Sequence, residues 1–468
     1  MQRPYLLLYL YIHMKQELNF ADAEQKIPES NQEGGCVMKL KRLVAMLSCI
    51  ALIAAGAAGC GSGGETAGDT GEDAGSESTE GEKPDKITLI STTDDVGYFE
   101  YIGEQYTEKT GVELEIISQS YDDTKTKITT SVTGGNADIA YLDVVWPGEF
   151  ADKGLILPLT DYFTDEIKSG IMEGNLQQMT VGDDIYGIPY CNNGMFMFYN
   201  KAMLEEAGYT EPPTTWDELK EMSQAMQEKG ICKYGIAWPG QQAEGSVCNL
   251  SMMLYSFGGT WTEGDEFTFN SDAGVQAVQF MVDSINDGWA DPSSVSCSDR
   301  DILDTFLAGD TAFVTNWSYA YDVANDPAQS QVAGDVDVCL IPGANGSDGA
   351  IVLGGGGLGV LATSEYPDYA WQFIEMLADP EIQEYGYVNH KMMPTIKSIY
   401  EDPDIQAESP ELVTMYEQLS YPANRPVVPD YSEWSNVLQT ELSSIMSGNE
   451  DVKTGLDNAY EQVKDYLK

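Results

Sequence analysis

Residues 87–145 read ITLISTTDDVGYFEYIGEQYTEKTGVELEIISQSYDDTKTKITTSVTGGNADIAYLDVV. Ile87–Thr92 is a β-branched run of strand length, and Phe99–Lys109 has helical periodicity that Thr110-Gly111 ends. Val112–Ser118 (VELEIIS) alternates as a strand, Thr124–Val132 is helical, and Ala137–Val145 is a third strand. Strand, helix, strand, helix, strand in one stretch predicts right-handed βαβ crossovers and a mainly parallel sheet. Ligands of such sheets sit beyond the carboxyl ends of the strands. That rule places Thr92-Thr93-Asp94-Asp95 and Asp143–Trp146 beside any site.

Working outward to the N-terminus, residues 38–60 read MKLKRLVAMLSCIALIAAGAAGC. Lys39, Lys41 and Arg42 form a basic start, Leu43–Ala55 an apolar run too short to span a bilayer, and small residues lead into Cys60. The segment resembles a bacterial lipoprotein signal peptide with Ala57-Ala58-Gly59-Cys60 as the lipobox, although Ala57 stands where that pattern prefers Leu. The resemblance implies cleavage after residue 59 and a lipid on Cys60. Residues 1–37 do not fit such a leader. Glu33-Gly34-Gly35 can be encoded by a purine run of ribosome-binding type, so Met38 is the expected start. Residues 61–86 hold Gly, Ser, Thr and acids with almost no apolar side chain, which predicts a flexible tether of roughly 25–30 Å.

Downstream, Ile185–Asn200 (IYGIPYCNNGMFMFYN) leads into a helix, and Thr215 reads as the N-cap of another, with acids in its first turn. Further elements are expected at Gly274–Asn286, Ile302–Leu307 and Val336–Ile341. Gly354-Gly355-Gly356-Gly357 should precede a strand (Leu358–Ala362) and a helix (Asp368–Leu377). The C-terminal third reads as helical, broken at Pro403, Pro410, Pro422, Pro426 and Pro429.

Charge narrows the functions. With 24 Lys+Arg against 76 Asp+Glu, the net charge of -52 repels phosphate backbones and anionic lipid heads, so no nucleic-acid partner is expected. Only two histidines occur, and no cysteine pair has CxxC spacing, so neither a metal site nor a catalytic triad is expected. Five cysteines remain after Cys60: Cys191, Cys232, Cys248, Cys297 and Cys339. They read as small buried hydrophobes. The glycine run lacks the Lys-Ser/Thr of a phosphate loop and is expected to serve close backbone approach. Trp317 and Tyr319, in Phe313–Tyr321 (FVTNWSYAY), sit at a strand-to-helix transition. Aromatic platforms among Asp, Asn and Glu suit sugars, whose rings have apolar faces and polar rims.

Several segments, in order, are similar to the sugar-type extracellular solute-binding proteins of bacterial ABC importers, trehalose/maltose-binding branch. ADIAYLDVVWPGEF (137–150) resembles that branch's DVxxLDVIWPxEF, and GIPYCNNGMFMFYN (187–200) its LPWxxDxGxLYYR crossing strand. Glu244-Gly245 with Cys248-Asn249 resembles YEGLxCN, NWSY (316–319) resembles NWPY, and Met393–Thr395 with RPVVPDY (425–431) resembles its PT…RPxxPxY tail. Asn193 stands where the family has Asp, Gly356 where it has a Trp, and Lys125 is the nearest match to an expected basic residue.

The resemblance implies an α/β, two-lobe periplasmic-binding-protein-like fold with an interlobe ligand cleft and hinge-crossing strands. Lobe one is expected over 87–195 plus 343–390, and lobe two over 196–342 plus 391–468. It implies ligand contacts from Asp143, Tyr190, Asn193, Glu244, Trp317 and Tyr319, with Asp95, Trp146 and His390 nearby. It further implies a small-molecule sugar ligand, the transmembrane subunits of an ABC permease as partner, a membrane-anchored monomer on the extracytoplasmic face, no cofactor and no catalysis. A same-fold binder of a non-sugar solute and a surface carbohydrate-active enzyme stand as alternatives.

Overall fold

The computed structural model describes residues 83–467. The leader, Cys60 and nearly all of the tether lie outside the described residues.

β1 (Lys86–Thr92) is buried at every residue but the first, as a strand covered on both faces must be. It runs into α1 (Val96–Thr110), and the chain returns as β2 (Glu113–Gln119), parallel to β1 from Lys86↔Glu113 to Thr92↔Gln119. β2 is the sheet's edge and keeps partly exposed residues along its length. α2 (Tyr121–Gly134) starts at Ser120, whose hydroxyl accepts the Asp123 N–H. It leads to β3 (Ile139–Asp143), wholly buried and parallel to β1 on its other side. These units follow the sequence pattern, with helix ends shifted by a few residues.

β4 (Ile188–Asn200) has 13 residues, long enough to serve two neighbourhoods. Its tail pairs antiparallel with β5 (Phe313–Trp317) on one side and β6 (Val336–Cys339) on the other. Its first half pairs antiparallel with β7 (Leu353–Val360), which in turn pairs antiparallel with β3. The order is β6-β4-β7-β3-β1-β2. The sheet is therefore mixed rather than mainly parallel. The βαβ rule holds for the first three strands only, because β7 runs opposite to β3 and to β4, and β5 and β6 run opposite to β4.

The glycine run corrects a second expectation. Gly354–Gly357 lie inside β7 instead of preceding it, and aromatic rings cover the strand where side chains would stand. A Cβ on Gly356 would fall 2.3 Å from Tyr141 Cε2, and one on Gly354 2.8 Å from Trp317 Cζ3. Gly355 has φ 97°, a conformation open to glycine at little cost.

Beyond β4 the chain is mostly helical around these later strands. α3 (Trp216–Glu228) has the expected Thr215 cap, closed into a capping box by Glu218. α4 (Glu244–Ser256) and α5 (Asp272–Asn286) pack together, followed by α6 (Asp299–Leu307). α7 (Tyr431–Met446) and α8 (Val452–Val463) return onto α4 and α5. Their shared core holds Trp261 and Trp434 edge to face at 5.0 Å, with Phe267 stacked on Trp434. All five described cysteines are unpaired thiols, four of them buried.

Candidate functional site

The carboxyl ends of β1 and β3 form one wall of a cavity of about 410 Å³. Asp95 occupies the N-cap position of α1 yet does not cap it. Its Oδ2 instead accepts from Thr92 Oγ1 at 2.7 Å and from Tyr190 Oη at 2.6 Å. Asp143 ends β3; its Oδ1 accepts the Val145 N–H at 3.1 Å and its Oδ2 the Tyr121 hydroxyl at 2.9 Å. Tyr121 opens α2 with half its surface exposed. Burial pushes both carboxyls above their ordinary range; Tyr190 and Thr92 partly offset this at Asp95, Arg425 and Tyr121 at Asp143.

The opposite elements supply Glu244, Asp299, Trp317 and Arg425. Glu244 and Asp299 are the first residues of α4 and α6, where the helix dipole favours a carboxylate. Trp317 ends β5, half-buried against the Gly354 backbone, and its Nε1 donates to Asp299 Oδ2 at 3.2 Å. Asn316 Nδ2 donates to the Asp299 carbonyl at 2.8 Å, fixing the start of α6 to the end of β5. Burial raises the Asp299 pKa, against the pull of the Trp317 hydrogen bond. Arg425, only 9% exposed, donates from Nη1 to Glu244 Oε1 at 2.7 Å and from Nη2 to the Leu353 carbonyl at 3.4 Å. Glu244 also accepts from Tyr431, Ser435 and Gln439. A carboxylate has about four lone-pair sites, so Glu244 is saturated by protein donors.

Six of the nine residues expected from sequence line this cavity together: Asp95, Asp143, Tyr190, Asn193, Glu244 and Trp317. Asn193 Oδ1 is taken by the Ser318 hydroxyl at 2.8 Å. The other three do not line it. Trp146 is 5% exposed, lying behind Tyr121 and Tyr141, because Pro147 starts a short helix that turns its ring into the core. Tyr319 occupies the N-cap position of the helix that follows β5, without capping it, and is 38% exposed. His390, at the end of its helix, packs on Gly97 and between Tyr98 and Tyr385.

Sequence reading missed Tyr121, Tyr141, Asp299 and Arg425 as cavity residues. Arg425, not Lys125, supplies the cation in the cavity wall. Lys125 does not serve; it pairs with Glu149 over Trp146. The space left by Gly356 is filled by Tyr141, so the missing Trp does not open that side. A larger hollow of about 800 Å³ lies near the far end of β4, against Tyr199, Leu340 and Tyr421. None of the expected residues lines it, and it is not at the carboxyl ends of β1 and β3.

A cavity of this size, between strand ends on one side and helix starts on the other, defines a two-lobe α/β binder of a small solute. The chain belongs to the bacterial extracellular solute-binding protein family, whose profile matches residues 90–384. A probable ABC transporter-binding protein of Deinococcus radiodurans is 28% identical over 380 residues, covering 77% of this chain and 88% of its own. The maltose-bound MalE3 structure of T. maritima superposes with a TM-score of 0.69 at 29% identity, covering 81% of this chain and 98% of that one. For the fold alone, the cyclic alpha-maltosyl-1,6-maltose binding protein of Arthrobacter globiformis gives 0.71 at 24% identity, covering 82% and 100%. The family places the protein outside the cytoplasm. Among the described residues no helix is long and apolar enough to cross a membrane.

Proposed function

We propose that the protein captures a sugar of disaccharide or oligosaccharide size in this cavity and hands it to an ABC permease without chemical change. One observation carries the reading: the Trp317 ring lies against the Gly354 backbone in a cavity whose wall also carries five carboxylates and three tyrosines. An aromatic face beside hydrogen-bond acceptors is what a sugar ring requires. A volume of about 410 Å³ lies within the roughly 300–1,000 Å³ of small-molecule sites. The relative solved with maltose bound supports the same class of ligand.

The same proposal holds that residues 61–86 tether a monomer to the membrane through lipidated Cys60. It also holds that 87–195 with 343–390, and 196–342 with 391–468, are the two lobes that close on the ligand. Thermal-shift and calorimetric titration against a sugar panel test the binding step, since a ligand of the native state raises stability by RT ln(1+[L]/Kd). No shift with any sugar, or consumption of the sugar, would end the reading. A Cys60→Ala variant that still sediments with membranes would end the anchor.

A further inference from the structure

We propose that the ligand is a saccharide carrying a protonated amine. This rests on the sugar reading above and narrows its class. Five carboxylates line the cavity, from Asp94, Asp95, Asp143, Glu244 and Asp299, against the single guanidinium of Arg425. That cation is committed to Glu244 and the Leu353 carbonyl.

The remaining buried carboxylates receive only neutral donors. Asp95 has Thr92 and Tyr190; Asp143 has Tyr121 and the Val145 N–H. Arg425 reaches Asp143 through space, as His390 does Asp95. Asp299 has less. Among the described residues its Oδ2 accepts only from Trp317, its Oδ1 is buried without a partner, and the charge it feels is that of Glu244, of the same sign. Arg300, next in sequence, turns to Asp304 at 2.9 Å. Gly245 lets the Asp299 carboxylate reach the wall, since a Cβ there would stand 2.6 Å from both its oxygens.

A hydroxyl-only sugar can donate hydrogen bonds to these oxygens but leaves the charge unbalanced. An ammonium supplies donor and counter-charge together, and charge-assisted hydrogen bonds are about twice as strong as neutral ones. An anionic sugar would add a like charge to a partly dehydrated site. The three classes therefore rank amine-bearing, neutral, anionic.

The test is calorimetric titration of the full chain with matched disaccharides in β-1,4 and α,α linkage. Each is used with a free 2-amine, with that amine N-acetylated, and as the neutral parent (cellobiose, trehalose). The tightest free-amine sugar should bind at least about tenfold more tightly than its acetylated and neutral counterparts at low salt. That advantage should shrink as salt rises and as pH passes the amine's own pKa. Asp299→Asn should cut the amine-to-neutral affinity ratio at least about fivefold. The ratio is internal to each variant, so partial misfolding does not imitate the effect. A neutral parent binding as tightly as the amine overturns this inference and leaves the sugar reading standing. If no saccharide binds, both fall. An unchanged ratio in Asp299→Asn removes Asp299 as the group that recognises the amine.

Discussion

Replacing Trp317 by Ala and by Phe separates what the ring does from what its N–H does. The ring is half-buried, with one side on the Gly354 backbone, and its Nε1 is the one hydrogen-bond donor to the Asp299 side chain among the described residues. Stacking on a sugar is worth roughly 0.5–1.5 kcal/mol beyond burial, and covering one ring face adds about as much again. Trp317→Ala should therefore weaken sugar binding by about 1–3 kcal/mol, roughly 5- to 150-fold. Its stability loss should stay below the roughly 3–5 kcal/mol of a fully buried aromatic. Trp317→Phe keeps most of the platform and drops the donor, so its affinity loss should stay near 1 kcal/mol. It leaves both Asp299 oxygens without a donor, raising that carboxyl further. Calorimetric titration and a denaturant curve on each variant measure the two quantities. Unchanged affinity in the folded Ala variant, with a stability loss of core size, would show that Trp317 only packs.

Arg425→Met leaves Glu244 with its tyrosine, serine and glutamine donors but strips the positive charge from Asp143; unfolding free energy should fall by about 3 kcal/mol, the low end for breaking a buried pair. A loss below about 1 kcal/mol, within the range of exposed pairs, would mean the pair is not structural. Gly356→Ala puts a methyl into the buried Tyr141 ring and should cost about 1–3 kcal/mol by overpacking; a wild-type denaturation midpoint would contradict the covered-strand geometry. For pH, burial raises the carboxyls of Asp95, Asp143 and Asp299 in the folded state. The native chain then holds protons that the unfolded chain releases above about pH 4, so these groups cost stability at neutral pH and the cost fades on acidification. Glu149 runs the other way: burial pushes it up, but hydrogen bonds from Lys125 and Lys153 hold it low, and its contribution is lost only as pH falls through the acid range. Ligand-free melting temperature should rise as pH falls from neutral toward the ordinary carboxylate range, less so in Asp299→Asn, and a fall from the first step of acidification in the wild type would refute the assignment.

What could be read from sequence was whatever depends on neighbours along the chain. β1, β2 and β3 announce themselves because each is a local run with its own period, and the N-cap at Thr215 because its partner Glu218 is three residues away. The direction of β5, β6 and β7 is set by where the chain returns, which no local period records, so the sheet read as mainly parallel. The glycines of β7 read as preceding the strand because they lack β propensity. Their reason is the rings of Tyr141 and Trp317, one far upstream and one on a different strand. Asp299 and Arg425 were missed for related reasons. One sits in an ordinary capping sequence (Ser298–Asp301), the other in a proline-rich tail whose guanidinium meets Glu244 across 181 positions. The arginine did carry a signal, in RPVVPDY, but its role could be seen only once Glu244 was beside it.

That pairing changes how Glu244 should be understood. Its place at the start of α4 and in the cavity wall suggests a group waiting for a sugar hydroxyl, yet four protein donors already use its oxygens. Three of them, Tyr431, Ser435 and Gln439, come from α7, while Arg425 also holds the Leu353 carbonyl at the start of β7. Glu244 thus fastens α4, α7 and the crossing strand to one another. Asp299 has the opposite balance: a comparable position at a helix start, one neutral donor, and an oxygen without a partner. Of the two acids, the saturated one holds the wall in place, and the unsatisfied one has bonding capacity left for a ligand.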